Sequence, residues 1–152
     1  NGPDREPDLF LDTGTRHAVR FVDNVNDIDV VGEGRVLRYS PDFAPVGANV
    51  NFVQVNADGS ITVRTYEKGV EDETLACGTG IVASTMATWI AHKRHEQGKI
   101  VSIPVHARIS DLSVSFRPSD VACESSAPAS FSASEVYLTG PAVFVGKVIT
   151  DL

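Results

Sequence analysis

Residues 75–91 of this 152-residue chain read LACGTGIVASTMATWIA. From Ile81 to Ala91 every position around a helix is apolar or small, which is typical of a helix buried on all sides. Residues 92–95, His-Lys-Arg-His, would put positive charge at the negative end of the helix dipole, and Gly98 suits a left-handed cap. The segment therefore predicts a buried helix preceded by a glycine-rich turn.

Alternating residues predict a β-hairpin upstream of this helix. Val50–Val55 and Ile61–Tyr66 alternate with period two, and Asn-Ala-Asp-Gly at 56–59 is a turn signal between them. Asp27–Arg38 suits a short helix interrupted by two glycines. Further strands are predicted at His17–Val22, Ile100–Val105, Ala107–Phe116, Glu135–Thr139 and Val143–Ile149. The expected class is α+β, with mixed strands wrapped around a central buried helix.

Composition narrows the function classes. The formal net charge is −7 and the basic residues are scattered, so no basic face for a nucleic-acid backbone is expected. No apolar run in the sequence approaches the roughly 20 residues that a membrane-spanning helix needs, and we expect a cytoplasmic protein without a membrane role. Residues 1–8 carry two prolines, a glycine and four charges, which indicates a linker or disordered terminus before a domain at 9–152.

Cys77 lies at the start of the predicted helix and is expected to be a free thiol, because a domain of this size does not need a disulfide. Gly78 and Gly80 leave the first helical amides open to an anion such as a carboxylate, and the helix dipole would stabilise a thiolate at Cys77. The alternative is a small buried cysteine beside a tight turn. The other cysteine, Cys123, lies in a Ser- and Ala-rich stretch, Ser119–Ser134, that predicts a long loop.

Two further residues are candidates for proton transfer. Glu67 ends a predicted strand and precedes Gly69, so the chain can turn back and bring its carboxylate to the thiol; a solvated acid at a strand end is the alternative. His17 enters a strand after Thr-Gly-Thr-Arg, where a loop can present its ring to a pocket; a packed or surface histidine is the alternative. The spacing of the four histidines resembles no metal site.

Five segments together resemble the diaminopimelate epimerase family over nearly the whole chain. They are Thr13–His17, Gly47–Phe52, Tyr66–Gly69, Glu73–Gly80 and Leu138–Ala142. Related proline racemases share the chemistry, but residues 73–80 and 49–52 resemble the diaminopimelate branch more closely.

The resemblance implies two similar domains with the active site in the cleft between them and one cysteine from each. One thiolate removes the α-proton, and the other thiol protonates the opposite face, without pyridoxal phosphate or a metal. LL- and meso-diaminopimelate are interconverted for lysine and peptidoglycan synthesis. Cys77 matches the C-terminal cysteine, Glu67 its acid/base helper, and His17 a residue that reaches across the cleft to the other cysteine.

The resemblance also implies substrate contacts. The amides of Gly78 and Thr79 would hold the reacting α-carboxylate, while Asn49 and Lys68 would hold the distal end. Thr15 falls in the substrate-binding segment at a position where the family usually has Asn or Ser. Lys68 stands where the family usually has Arg, so the charge is kept and the two-pronged grip on a carboxylate is lost.

The family's first cysteine lies in an upstream Cys-Gly-Asn motif that this sequence lacks. We therefore expect a missing N-terminal domain and an inactive chain when this half stands alone. Whether two copies form a homodimer stays open.

Other function classes remain to be weighed. A carboxylate-binding pseudoenzyme would use the helix start without catalysis. A cysteine hydrolase would need His17 as base and Asn49 as orienting residue, and the sequence contains no sign of such a triad. A redox role is disfavoured because the chain has no Cys-x-x-Cys.

Overall fold

The computed structural model describes residues 8–92, 99–119 and 131–147. They form eight strands and two α-helices: β1 Leu9–Asp12, β2 Arg16–Phe21, α1 Val30–Arg38, β3 Asn49–Val55, β4 Ile61–Glu67, β5 Asp72–Thr74, α2 Gly78–His92, β6 Val101–His106, β7 Asp111–Pro118 and β8 Ala133–Thr139. Single 3₁₀ turns lie at Val25–Asp27 and Pro41–Phe43. Among the described helices, none is long and apolar enough to cross a membrane.

All eight strands belong to one mixed sheet. Its order is β1-β2-β3-β4-β6-β7-β8, with β5 paired to β4. The pairs β2/β3 and β4/β6 are parallel, and the other pairs are antiparallel. The expected α+β class and the hairpin β3/β4 are confirmed.

Alternation along β3 separates the two helices onto opposite faces of the sheet. Val50 and Phe52 belong to the cluster that packs with Val30 of α1, whereas Val53 belongs to the cluster around α2. Each fully buried side chain of this size contributes roughly 1.5–3 kcal/mol of hydrophobic stabilisation.

The helix α2 is buried at nine positions between Gly80 and Trp89. Three of them are polar, and each hydroxyl donates to the carbonyl one turn earlier: Ser84 to Gly80 at 2.7 Å, Thr85 to Ile81 at 2.8 Å and Thr88 to Ser84 at 2.8 Å. Because these groups are bonded within the helix, burial leaves none of the three hydroxyls unsatisfied.

The helix α1 is continuous through both of its glycines. Asp29 caps its start by accepting from the amide of Gly32 at 2.9 Å. Gly34 is buried against Tyr66 of β4, where a Cβ atom would lie 2.5 Å from the Tyr66 Cβ. The predicted interruption is therefore wrong: Gly34 allows the helix and the sheet to approach closely.

The predicted strand Val143–Ile149 is wrong over its described part, since residues 143–147 have no regular structure. Val143, Phe144 and Val145 are 81%, 84% and 95% exposed. Among the described strands, none pairs with this segment, so its β propensity has no ladder of hydrogen bonds to satisfy.

Other boundaries differ from the predictions for local reasons. The strand β7 begins at Asp111 rather than Ala107, because the Ala107 amide closes a turn by donating to the Ser110 carbonyl at 3.0 Å. Strands β1 and β5, of four and three residues, were not predicted. Asp8, placed in the predicted linker, bonds Arg20 at 2.9 and 2.6 Å. The predicted cap at Gly98, most of the predicted linker and Cys123 lie outside the described residues.

Candidate active site

Cys77 caps the start of α2 and carries a free, half-buried thiol. The first helical hydrogen bond runs from the Ile81 amide to the Cys77 carbonyl at 2.8 Å. The amides of residues 78–80 precede that bond, so the helix itself offers them no acceptor. Gly78 and Thr79 are exposed. This helix end can therefore hold an anion beside the sulfur.

A cavity of about 390 Å³ opens at this helix start. It is lined by Asp12, Gly14, Thr15, Arg16, Val46, Asn49, Glu67, Lys68, Cys77 and Thr79. Most of the sequence-predicted site residues are in this set, and Gly78 lies between two of them in the chain. The structure thus brings together, around one cavity, residues from β2, β3, β4 and α2.

Asn49 links two walls of the cavity through side-chain hydrogen bonds. Its side-chain oxygen accepts from the Lys68 amide at 2.8 Å, and its side-chain nitrogen donates to the Arg16 carbonyl at 3.1 Å. Asn49 is only 7% exposed. Its amide therefore holds Arg16 and Lys68 in place and keeps one N–H beyond these two bonds.

The turn after Glu67 is held by Glu71. Gly69 and Glu71 both have positive φ, 93° and 61°, which lets the chain reverse direction there. Glu71 accepts from the Gly69 amide at 3.0 Å and the Tyr66 hydroxyl at 3.1 Å. The bond from the Gly69 amide, followed by that from Tyr66, lowers the pKa of Glu71. This turn positions the adjacent Glu67 and Lys68.

Glu73 anchors the strand that leads to Cys77. Its two oxygens accept from Arg64 at 2.7 Å each, and Arg108 lies 3.3 Å away. Arg64 also donates to the Val25 carbonyl at 2.9 Å. A charge-assisted pair with two parallel hydrogen bonds fixes both orientation and distance. The segment before the thiol is therefore tied to the sheet.

The cavity presents both signs of charge. Glu67, Lys68 and Arg16 have no side-chain hydrogen bond or ion pair within the described part of the chain, so their charges are available to a ligand. Asp12 also lines the cavity, and its carboxylate accepts from the Gly14 amide at 3.0 Å. Such a lining suits a zwitterion with ammonium and carboxylate groups.

Four lining residues, Asp12, Gly14, Arg16 and Val46, were not predicted as site residues. Asp12 and Arg16 flank the turn Thr13–Thr15, and their register pair across β1/β2 puts both at the same end of the sheet. The Asp-x-Gly spacing was a usable signal, because an Asp side chain commonly bonds the amide two residues later. Val46 carried no such signal.

His17 lies behind the cavity wall with no exposed surface. Its Nε2 is 2.9 Å from the Thr15 hydroxyl and 3.1 Å from the Thr79 hydroxyl. Its Nδ1 is 3.1 Å from the amide nitrogen of Asn51. Burial lowers the pKa of His17 to about 4, against the opposing effect of Asp12. The ring is therefore neutral near pH 7, and it faces two threonines rather than open space.

The depressed pKa of His17 predicts a pH-dependent stability. Between pH 6.5 and about 4 the unfolded chain binds a proton at this ring that the folded chain does not. The free energy of unfolding should therefore fall as the pH is lowered through this window, by at most about 1.4 kcal/mol per pH unit. Urea unfolding at several pH values measures the slope. In His17→Gln the slope should be smaller, and an unchanged slope would contradict the assignment.

Within residues 8–92, 99–119 and 131–147, no group of three His, Cys, Asp or Glu side chains could hold a metal ion. The polar groups around Cys77 are hydroxyls, amides and single charged side chains.

A sequence model described as diaminopimelate epimerase matches residues 9–116, which include every lining residue of the cavity. The chain belongs to the diaminopimelate epimerase family. A diaminopimelate epimerase from Chlorobaculum tepidum is 37% identical over 136 residues, covering 88% of this chain and 46% of the relative. One from Flavobacterium psychrophilum is 36% identical over 137 residues, covering 90% of this chain and 48% of the relative. The chain thus spans about half the length of the curated relatives that it matches.

The fold is also similar to that of a solved structure. A probable proline racemase from Agrobacterium radiobacter K84, crystallised with bound carbonate, superposes with a TM-score of 0.51 and 19% sequence identity. The alignment covers 95% of this chain and 50% of that protein. At this identity the likeness establishes the fold, a mixed sheet with two helices, that this member of the diaminopimelate epimerase family shares with it.

Proposed function

We propose that the intact protein interconverts LL- and meso-diaminopimelate without a cofactor, for lysine and peptidoglycan synthesis, and that this chain supplies one half of the active site. The observation that carries the proposal is the placement of Cys77 at the open start of α2, in one cavity with Glu67 and with two cations, Arg16 and Lys68, that have no ion-pair partner among the described residues. Family membership supports the same reaction.

In this proposal the amides of Gly78 and Thr79 bind the α-carboxylate next to the reacting carbon. The helix end and its dipole would stabilise the extra negative charge that develops when the α-proton leaves. Cys77, as a thiolate, takes that proton on one face, and the thiol of the other domain donates a proton to the opposite face. Glu67 then returns the Cys77 thiol to its starting protonation state.

The distal end of the substrate would meet the opposite wall of the cavity. Lys68 supplies a point charge for the distal carboxylate, and Asn49 and Thr15 supply hydrogen-bonding groups there. Arg16, which also lines the cavity, would add a planar guanidinium that can bind a carboxylate with two hydrogen bonds. Asp12 and Glu67 are available to the ammonium groups.

We propose that an N-terminal domain closes the cavity and contributes the second thiol. Exposed apolar side chains in β8 and in the segment that follows it support this arrangement, since Tyr137 is 63% exposed and residues 143–145 are more than 80% exposed. In the same arrangement α2 is the central helix of its own domain. Its contacts with β1, β2, β3, β4, β6 and β7 support that position.

A carboxylate-binding protein without catalysis is the second candidate. The described residues contribute one thiol to the cavity, and the chain spans about half the length of its relatives, which favours binding without turnover by this half alone.

Chiral chromatography of LL-diaminopimelate incubated with the intact protein, without pyridoxal phosphate, tests the proposal. Appearance of the meso isomer is expected. If the intact protein binds diaminopimelate, as measured by calorimetry, but forms no meso isomer, the binding protein is the correct assignment.

A further inference from the structure

A row of buried polar residues crosses the sheet, and one of them, Asn51, lies against Gly80 in the first turn of α2. In the sheet register His17 of β2 lies beside Asn49, Val19 beside Asn51, and Asn51 of β3 beside Thr65 of β4. Asn51 has no exposed surface. A buried amide must have its hydrogen-bonding groups satisfied, and its partners therefore report which way it faces.

The orientation of the Asn51 side-chain amide follows from its contact with the Ala18 carbonyl, which can only accept a hydrogen bond. The Asn51 nitrogen is 3.3 Å from the Ala18 carbonyl oxygen, and the Asn51 oxygen is 3.0 Å from the Thr65 hydroxyl. A flipped amide would place two oxygens against each other at the Ala18 carbonyl. The nitrogen side therefore faces Ala18 and His17.

This orientation determines the tautomer of His17. The Asn51 nitrogen lies 3.1 Å from the His17 Nδ1, and an amide nitrogen only donates. The Nδ1 atom must accept, so the neutral ring carries its proton on Nε2. The low pKa of His17, about 4, agrees with a ring that stays neutral.

The proton on Nε2 then orders two hydroxyls toward the sulfur. The Nε2 atom donates to the oxygen of Thr15 at 2.9 Å or of Thr79 at 3.1 Å, and the Thr15 hydroxyl donates to the Thr79 oxygen at 3.1 Å. With its oxygen accepting, Thr79 has its own hydrogen left to donate. The Cys77 sulfur lies 3.6 Å from that oxygen.

Glycine at position 80 is part of the same arrangement. A Cβ atom there would run into the Asn51 side-chain oxygen, so the bare glycine allows the start of α2 to close onto the amide. The helix that carries the thiol and the strand that carries Asn51 are thereby held in fixed relation.

We propose that Asn51 is a positioning residue that, through the Nε2–H tautomer of His17, turns the Thr79 hydroxyl so that it donates to the Cys77 sulfur and stabilises the thiolate. The catalytic value of this chain of hydrogen bonds rests on the proposed epimerase function. The charged groups that share the cavity with the sulfur are Asp12, Arg16, Glu67 and Lys68. None of them takes part in the series of hydrogen bonds that runs from Asn51 to Cys77.

Long-range proton–nitrogen NMR spectra of the 152-residue chain test the first links. We expect the His17 Nδ1 to resonate as an unprotonated nitrogen and Nε2 as a protonated one, at pH 7 and still at pH 5. A protonated Nδ1 in the unmodified chain would overturn the proposal. In Asn51→Asp, the carboxylate can only accept, so Nδ1 should become protonated; an unprotonated Nδ1 in this variant would show that Asn51 does not control the ring.

Alkylation of Cys77 by iodoacetamide tests the last link, in a Cys123→Ser background that leaves one thiol. Thr79→Val should slow alkylation at pH 7 by about three- to tenfold and move the rate–pH profile to higher pH, because the thiolate loses a donor. Thr79→Ser should stay within about twofold of the parent, since it keeps the hydroxyl. Thr13→Val is the matched control, because within residues 8–92, 99–119 and 131–147 the Thr13 hydroxyl bonds the Thr79 carbonyl alone, at 3.3 Å.

Equal rates for Thr79→Val and Thr79→Ser would overturn the proposal. Neither the spectra nor the alkylation rates require turnover. A failure of the hydrogen-bond chain therefore appears in these measurements, whereas a failure of the proposed epimerase function appears only in the assay of the intact protein.

Discussion

Replacing Cys77 with alanine in the intact protein is expected to reduce the proposed epimerisation by about a thousandfold or more. Acid/base groups that act directly on the reacting atom contribute typically 10²–10⁴-fold, and here the same sulfur must serve as base in one direction and as acid in the other. The sulfur sits at the open start of α2 in the proposed substrate cavity. Chiral chromatography of initial rates in both directions measures the loss.

Cys123→Ala is the matched control for this variant, because it removes the other thiol of the chain. It should retain nearly full activity, since the segment around Cys123, Ala-Cys-Glu-Ser-Ser, contains no glycine-rich helix start. Equal losses from both substitutions would mean that the thiol has been assigned wrongly.

Replacing Gly34 with alanine is expected to destabilise the chain by about 2 kcal/mol, although alanine favours a helix over glycine by roughly 1 kcal/mol. The new Cβ atom would lie 2.5 Å from the Cβ and 2.7 Å from the Cγ of Tyr66. Tyr66 has no exposed surface and its hydroxyl bonds Glu71 at 3.1 Å, so the ring cannot give way. The midpoint temperature of thermal unfolding should fall by roughly 4–8 °C.

Val36→Ala is the control in the same helix. Its side chain is 73% exposed, so the substitution tests helix propensity without new contacts, and stability should change by less than about 0.5 kcal/mol. If Gly34→Ala were as stable as Val36→Ala, the close approach of α1 to β4 would be contradicted.

Short sequence patterns were sufficient to predict those secondary-structure elements that depend on neighbouring residues alone. The hairpin β3/β4 follows from alternation and a turn signal, and the start of α2 follows from Gly78 and Gly80. The gathering of Cys77, Glu67, Asn49 and Thr79 around one cavity agrees with the expectation from family resemblance, while their chemical roles stay predictions.

What the sequence left open depends on contacts between distant segments. The hydrogen bond between the side chains of His17 and Asn51 requires the parallel register of β2 and β3. The alternation of residues within either strand does not encode that register. In the sequence alone Gly34 looks like a helix-breaking glycine, and only its contact with Tyr66 shows that it serves close packing. The exposed segment 143–147 has the composition of a strand, and composition does not reveal whether a partner strand exists.

The most direct test is α-deuterium incorporation into diaminopimelate in heavy water, without added pyridoxal phosphate. It compares the intact gene product, the 152-residue chain and the intact Cys77→Ala variant. Because proton removal and return at the α-carbon is the proposed chemistry, exchange is expected with the intact protein and at most a trace with the other two. A folded intact protein that binds diaminopimelate without exchanging its α-proton would contradict the account.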